Sequence, residues 1–143
     1  MAKRRTRKRH LVFISHSSQD TWVAEQMAKH IKLAGASFFL DENHIQSGAD
    51  FEDDILKHLN KSDEILVLLT PWSIKRPYVW AELGVAWGRK IRIVGVLQGL
   101  TPGNLNKKSE ATIFLKKHNL IELNNINKYF SELKKRCLKK SRK

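Results

Sequence analysis

The sequence predicts a three-layer α/β domain: a central parallel sheet of about five strands with helices on both faces, wound in the flavodoxin-like order. Two observations carry this. Short runs of β-branched, leucine and aromatic residues alternate along the chain with segments of helical period, which calls for crossover helices covering both faces of a parallel sheet. The run Ile65-Leu66-Val67-Leu68-Leu69 is apolar at every position, as a central parallel strand must be when helices cover it on both sides. A length of 143 residues fits one such domain, large enough to build a core without metal or disulfides.

Leu11-Val12-Phe13-Ile14 reads as the first strand. Ser15-His16-Ser17-Ser18-Gln19-Asp20 then supplies turn and capping residues before a helical stripe of Val23, Ala24, Met27, Ala28 and Ile31, which Gly35 ends. Ser37-Phe38-Phe39-Leu40 is expected to be a second buried strand, and Asp41 to Asp50, polar and containing Gly48, a long functional loop. A helix beginning at Phe51 places Glu52, Asp53 and Asp54 at its positive end and offers Phe51, Ile55, Leu56 and Leu59 to the core. Pro71 stops the third strand. After a loop with Trp72, Ser73 and Pro77, a helix is expected from about Tyr78 to Arg89 and a fourth strand over Ile91 to Leu97. Gly99, Pro102 and Gly103 mark another loop. Leu120 to Leu123 forms a short fifth strand, and Ile126, Tyr129, Phe130, Leu133 and Cys137 trace a last helix with one apolar face. Neither an internal repeat nor an interdomain linker is visible.

The formal charge of +13 is unevenly placed: six basic residues lie within Lys3 to Arg9 and seven within Lys134 to Lys143, 13 of the 27 Lys and Arg. The remaining 14 basic residues balance all 14 acids. The chain therefore divides into a basic N-terminal arm (1–9), a formally neutral domain (10–133) and a basic C-terminal tail (134–143). Blocks of like charge repel one another and stay solvated, so the plain reading is solubilising ends, and the alternative is weak contact with RNA, DNA or anionic lipid. A single cysteine, Cys137, excludes an intramolecular disulfide and fits a reducing compartment. The apolar run after the arm, Leu11 to Ser15, is too short for a signal-peptide core or a membrane span. A cytoplasmic location is expected.

In a sheet of this winding, ligands sit outside the carboxyl ends of the strands, which directs attention to the loops Ser15–Asp20, Asp41–Asp50 and Thr70–Pro77. Glu82 is the most informative residue nearby. Its helical neighbours at minus four, minus three, plus three and plus four are Tyr78, Val79, Val85 and Ala86, none of them basic. An ionised carboxylate on such a face is costly unless something uses it, and stabilising a cation is one such use. Meeting solvent or a Lys or Arg from another element is the other reading. Ser15, His16, Ser17 and Ser18 bring small hydroxyls and helix-initiating backbone N–H groups, a chemistry that accepts phosphate oxygens and equally serves as a simple cap. His16 has no neighbouring carboxylate or cysteine in sequence and reads as a contact residue; no Cys/His spacing indicates a metal. Trp72, Tyr78, Trp80 and Trp87 cluster around the third loop and the helix after it.

These residues carry a family resemblance. Val12-Phe13-Ile14-Ser15-His16-Ser17 resembles the first box of TIR domains, Phe39-Leu40-Asp41 through Ile45-Gln46-Ser47-Gly48 looks like their BB loop, and Tyr78-Val79-Trp80-Ala81-Glu82-Leu83 is similar to their aromatic-x-x-x-Glu segment. The likeness spans about Leu11 to Leu97. It is closest in kind to the bacterial stand-alone NAD-consuming members, and it implies that Glu82 is the catalytic glutamate of an enzyme that takes NAD+ as substrate and cleaves its nicotinamide–ribose bond. It implies NAD contacts from Ser17, Ser18 and Gln46, with Ser15, His16 and Asp41 on the same loops and Trp72 and Tyr78 placed to stack nicotinamide or adenine. The product is ADP-ribose or a cyclic isomer, and no bound prosthetic group is required. The resemblance further implies self-association through the BB loop (Asp41 to Asp50), an upstream sensor or downstream effector, and a role in immune or antiviral signalling. Tyr78 stands where the family usually has tryptophan, and this keeps a second reading open, a non-catalytic scaffold that joins proteins. A receiver domain of the same winding is set aside, because Ser15-His16-Ser17 replaces the paired acids it needs after the first strand.

Overall fold

A computed structural model describes residues 9–40, 50–107, 109–116 and 119–141, with side chains for all of these except 50–54, 109, 110, 112 and 141. The strands are β1 (Leu11–Ser15), β2 (Ser37–Leu40), β3 (Glu64–Leu69), β4 (Arg92–Leu97) and β5 (Leu120–Glu122), and the helices α1 (Thr21–Leu33), α2 (Asp50–Lys61), α3 (Pro77–Gly88), α4 (Pro102–Leu105), α5 (Ser109–Phe114) and α6 (Ile126–Ser141). All strand pairs are parallel, in the order β2-β1-β3-β4-β5. This is the flavodoxin-like winding expected from the sequence.

The uninterrupted apolar runs are explained by the alternation of side chains across the sheet. On one face Phe13, Ile65, Val67 and Leu69 pack under α2, α3 and α5 with Leu59, Val79, Leu83, Ala86 and Ala111. On the other, Val12, Ile14, Leu66 and Leu68 meet Ala24, Met27, Ala28 and Ile31 of α1 and Tyr129 and Leu133 of α6. Gly35 adopts φ 101° at the end of α1, a conformation that favours glycine and turns the chain into β2.

Four expectations are corrected. β2 is an edge strand rather than a buried one: only Phe39 and Leu40 reach the two cores, and Phe38 is exposed. Leu56 is 41 % exposed rather than in the core, where Ile55 and Leu59 pack; the side chain of Phe51 lies outside those described. The stretch after β4 is not only loop, since Thr101 caps α4 by accepting from the Asn104 N–H, and α5 follows. Finally, the last helix, traced in the sequence as far as Cys137, runs on to Ser141, so that much of the basic C-terminal segment is helical. Arg136 donates through Nη2 to Glu64 Oε1 at 2.9 Å and through Nε to Oε2 at 3.1 Å, and Lys140 Nζ reaches Asp63 Oδ2 at 3.0 Å.

Glu64, at the amino end of β3, also receives Tyr129 Oη at 2.6 Å and pairs with His10 Nε2 at 2.6 Å. Burial by itself would raise its pKa, but the hydrogen bonds from His10, Arg136 and Tyr129 outweigh it and hold the carboxyl at about 2. The same burial, and then the charge of Glu64, push the Tyr129 phenol well above its usual value. This cluster ties the start of β1 and the end of α6 to the middle strand, at the pole opposite the carboxyl ends.

Candidate active site

At the carboxyl pole, β1 and β3 end side by side and α3 runs past them. Pro77 opens α3 at a position where a missing N–H leaves no bond unmade, and Trp80 Nε1 donates to Ile74 O at 2.9 Å, anchoring the first turn to the preceding loop. The inward face of α3 comprises Val79, Trp80, Leu83, Ala86 and, among them, Glu82, which is 2 % exposed. Ser15, the last residue of β1, donates its hydroxyl to Glu82 Oε1 at 2.6 Å. A short hydrogen bond to a carboxylate oxygen of this kind fixes the rotamer.

Glu82 lines a cleft of about 390 Å³ between α2 and α3, whose walls are Ile55, Leu56, Leu59, Pro77, Tyr78, Ala81 and Val85. One carboxylate set in an apolar, aromatic-edged wall suits a flat heterocycle bearing a positive charge. A larger cavity of about 770 Å³ follows β5 and the start of α6. Its walls mix Arg92, Asn119, Asn125, Lys128 and Glu132 at the β5 edge of the sheet and share no residue with the cleft at Glu82. The smaller cleft is therefore the candidate site.

The loop after β1 is braced from below. Asp20 is buried, and its Oδ2 accepts from Ser17 Oγ at 2.7 Å and from Thr70 Oγ1 at 2.6 Å. Thr70 Oγ1 in turn accepts from the Ser73 N–H at 3.1 Å, while Ser73 Oγ accepts from the Thr70 N–H at 2.8 Å. The loops after β1 and β3 are thus one hydrogen-bonded unit. Tyr78 Oη makes a long contact to His16 O, 3.4 Å.

Of the residues singled out in the sequence, Ser15 is joined to Glu82 and Tyr78 to the His16 backbone, with Ser15, His16 and Glu82 buried. Ser17 is buried with its hydroxyl donated to Asp20, so it braces the loop. Ser18 is exposed at the head of α1, and Trp72, 51 % exposed, stands on the loop after β3 outside the lining of the cleft. Asp41 and Gln46 lie outside the described residues. Asp20, Thr70 and Ser73 were not anticipated. Asp20 reads in sequence as a cap, yet it makes no capping bond and reaches across 50 residues to Thr70 instead. Leu56 and Val85 as cleft walls were likewise invisible without the packing. Among the described residues no group of three or more His, Cys, Asp or Glu is arranged to hold a metal ion, and no helix is long and apolar enough to cross a membrane.

Comparison with known proteins agrees with this fold. No curated protein matches the chain. Among solved structures, the TIR domain of the Toll-related receptor TRR-2 from Hydra magnipapillata is similar at 18 % identity and TM-score 0.60, over 85 % of this chain and 91 % of that one. The TIR domains of the activated Roq1 resistosome, which directly recognises the pathogen effector XopQ, are similar at 16 % identity and TM-score 0.61, over 91 % of this chain and 98 % of that one. At these identities the likeness concerns the fold. The TIR domain family model matches residues 12–135, most of the length and every strand of the sheet, so the chain belongs to the TIR domain family.

Proposed function

We infer that this protein cleaves the nicotinamide–ribose bond of NAD+, with Glu82 as the catalytic carboxylate. The observation that carries the reading is the position of Glu82, a carboxylate oriented by the Ser15 hydroxyl and lining an apolar cleft at the carboxyl pole of the sheet. Resemblance to enzymatic TIR domains adds to it. The chemistry suits so sparse a site. Nicotinamide departs as a neutral pyridine with the bonding electron pair and needs no proton, unlike the alkoxide leaving group for which ordinary glycosidases keep a second carboxyl. Glu82 holds the ribose hydroxyls and offsets the oxocarbenium charge as the bond opens. Water adds to the ribosyl carbon and releases a proton, giving ADP-ribose, or an internal nucleophile closes a cyclic isomer. In this reading Tyr78 supplies the aromatic wall for the leaving ring, Ser18 and Trp72 meet the more distal parts of the dinucleotide, and Gln46 and Asp41 approach from the BB loop. Assembly through Asp41 to Asp50 completes the site, as the family resemblance implies, and links turnover to immune or antiviral signalling.

The test is to incubate the purified protein at high concentration with NAD+, with and without a crowding agent, and to separate the products by chromatography. Release of nicotinamide with ADP-ribose or a cyclic isomer is expected. NAD+ left intact at every concentration would leave a TIR scaffold that joins proteins without turnover.

A further inference from the structure

His10 and the basic residues of α6 are far apart in sequence, yet the fold brings them to one place. His10, which directly follows the run Lys3 to Arg9, pairs with Glu64 at 2.6 Å and lies 3.8 Å from Asp63. Arg136 and Lys140, within the run Lys134 to Lys143, bond the same two acids. The start of β1 and the end of α6 therefore meet at the amino pole of the sheet, opposite Glu82. Lys134, Lys135 and Lys139 are exposed on α6. The end of α1 arrives at the same pole, since a Cβ on Gly35 would lie 3.6 Å from Cys137 Cβ, and it adds exposed Lys29 and Lys32. The exposed acids on these two helices are Glu25, one turn before Lys29, and Glu132, one turn before Lys135, and the five exposed lysines outnumber them.

Two large apolar side chains stand out in this cationic surface: Leu33, 79 % exposed at the last position of α1, and Leu138, 49 % exposed between Lys135 and Lys139. Their presence separates the candidate occupants. A nucleic-acid backbone would engage the cations and leave both leucines in water, and neither basic run carries an aromatic residue on which a base would stack. A second copy would bring like charge against like charge. An anionic bilayer satisfies both features, with cations held at the phosphate level and short apolar side chains dipping past it.

We propose that the amino pole of this domain docks on anionic phospholipid surfaces, with Lys29, Lys32, Lys134, Lys135 and Lys139 at the headgroups and Leu33 and Leu138 inserted between them. Docked this way, the domain turns the cleft at Glu82 away from the lipid. The proposal does not depend on what that cleft does.

The test is co-sedimentation of the full chain with phosphatidylcholine vesicles, with and without phosphatidylserine, at low and physiological salt. Binding is expected only with phosphatidylserine and is expected to weaken with salt. A lysine near an anionic surface contributes about fivefold to partitioning, so Lys134→Gln, Lys135→Gln and Lys139→Gln together are expected to reduce it about a hundredfold. Leu33→Ser with Leu138→Ser, two exposed changes whose folding is checked by circular dichroism, is expected to reduce it about tenfold at constant salt. Absence of binding to phosphatidylserine vesicles would overturn the proposal. So would unchanged binding by the leucine variant together with release of the protein from vesicles by duplex DNA, the result that marks a nucleic-acid surface.

Discussion

Glu64→Gln separates charge from shape in the cluster that joins both ends of the chain to β3. The folded carboxyl titrates at about 2 against an ordinary value of 4.5, a difference worth on the order of 3 kcal/mol at about 1.4 kcal/mol per unit. Because the folded pKa is the lower one, this stabilisation is fully present above about pH 4.5 and is lost as the pH falls towards 2. Glutamine matches the protonated acid in shape, so the amide of the variant and the protonated carboxyl of Glu64 are near equivalents. At pH 7 the variant should be less stable by roughly 3 kcal/mol, since Arg136 also loses its carboxylate. Urea unfolding of both proteins at half-unit intervals from pH 7 to 2 measures the gap. It should stay constant down to about pH 4.5 and then close. A gap that persists unchanged at the lowest pH, or is absent at neutrality, would refute the assignment of Glu64 as an ionised anchor.

Three further predictions follow from neighbouring features. Asp20→Ala leaves the buried Ser17 and Thr70 hydroxyls without their shared acceptor and should lower urea stability by about 2–4 kcal/mol, whereas Thr70→Val, which removes only one of the two donors, should lower it by roughly half as much. Tyr78→Ala removes an aromatic wall of the cleft and should raise the KM for NAD+ about tenfold, while Tyr78→Trp keeps a ring there and should hold KM near the parent value, both read by initial rates. Burial, and then Glu64, raise the pKa of the Cys137 thiol; iodoacetamide at pH 8 should modify it more slowly than in the urea-unfolded chain, as mass spectrometry will show.

What the sequence revealed and what it hid divide along sequence separation. β1 and β3 were legible because every residue of Val12–Ile14 and Ile65–Leu69 must be apolar when both faces are covered. The place of Glu82 on a buried helical face was legible because its neighbours at three and four residues are local. That β2 sits at the edge was hidden, since Ser37–Leu40 is apolar enough for either position and only pairing decides. Long-range polar bonds were hidden altogether. Glu64 reads as a strand flank, yet its partners His10, Tyr129 and Arg136 lie 54, 65 and 72 residues away. Asp20 reads as a cap because a carboxylate before a helix normally caps it, and nothing local indicates Thr70. Net charge misled in part for the same reason: Arg136 and Lys140 belong compositionally to a tail and physically to the cluster at the amino pole.

The most direct test of the account is nicotinamide release from NAD+ by Glu82→Gln beside the parent protein, at matched concentration and with folding checked by circular dichroism. The variant keeps the side-chain shape and an acceptor for the Ser15 hydroxyl while removing the negative charge. Turnover is expected to fall at least about a hundredfold with little change in stability. Nicotinamide release at close to the parent rate would contradict the central claim.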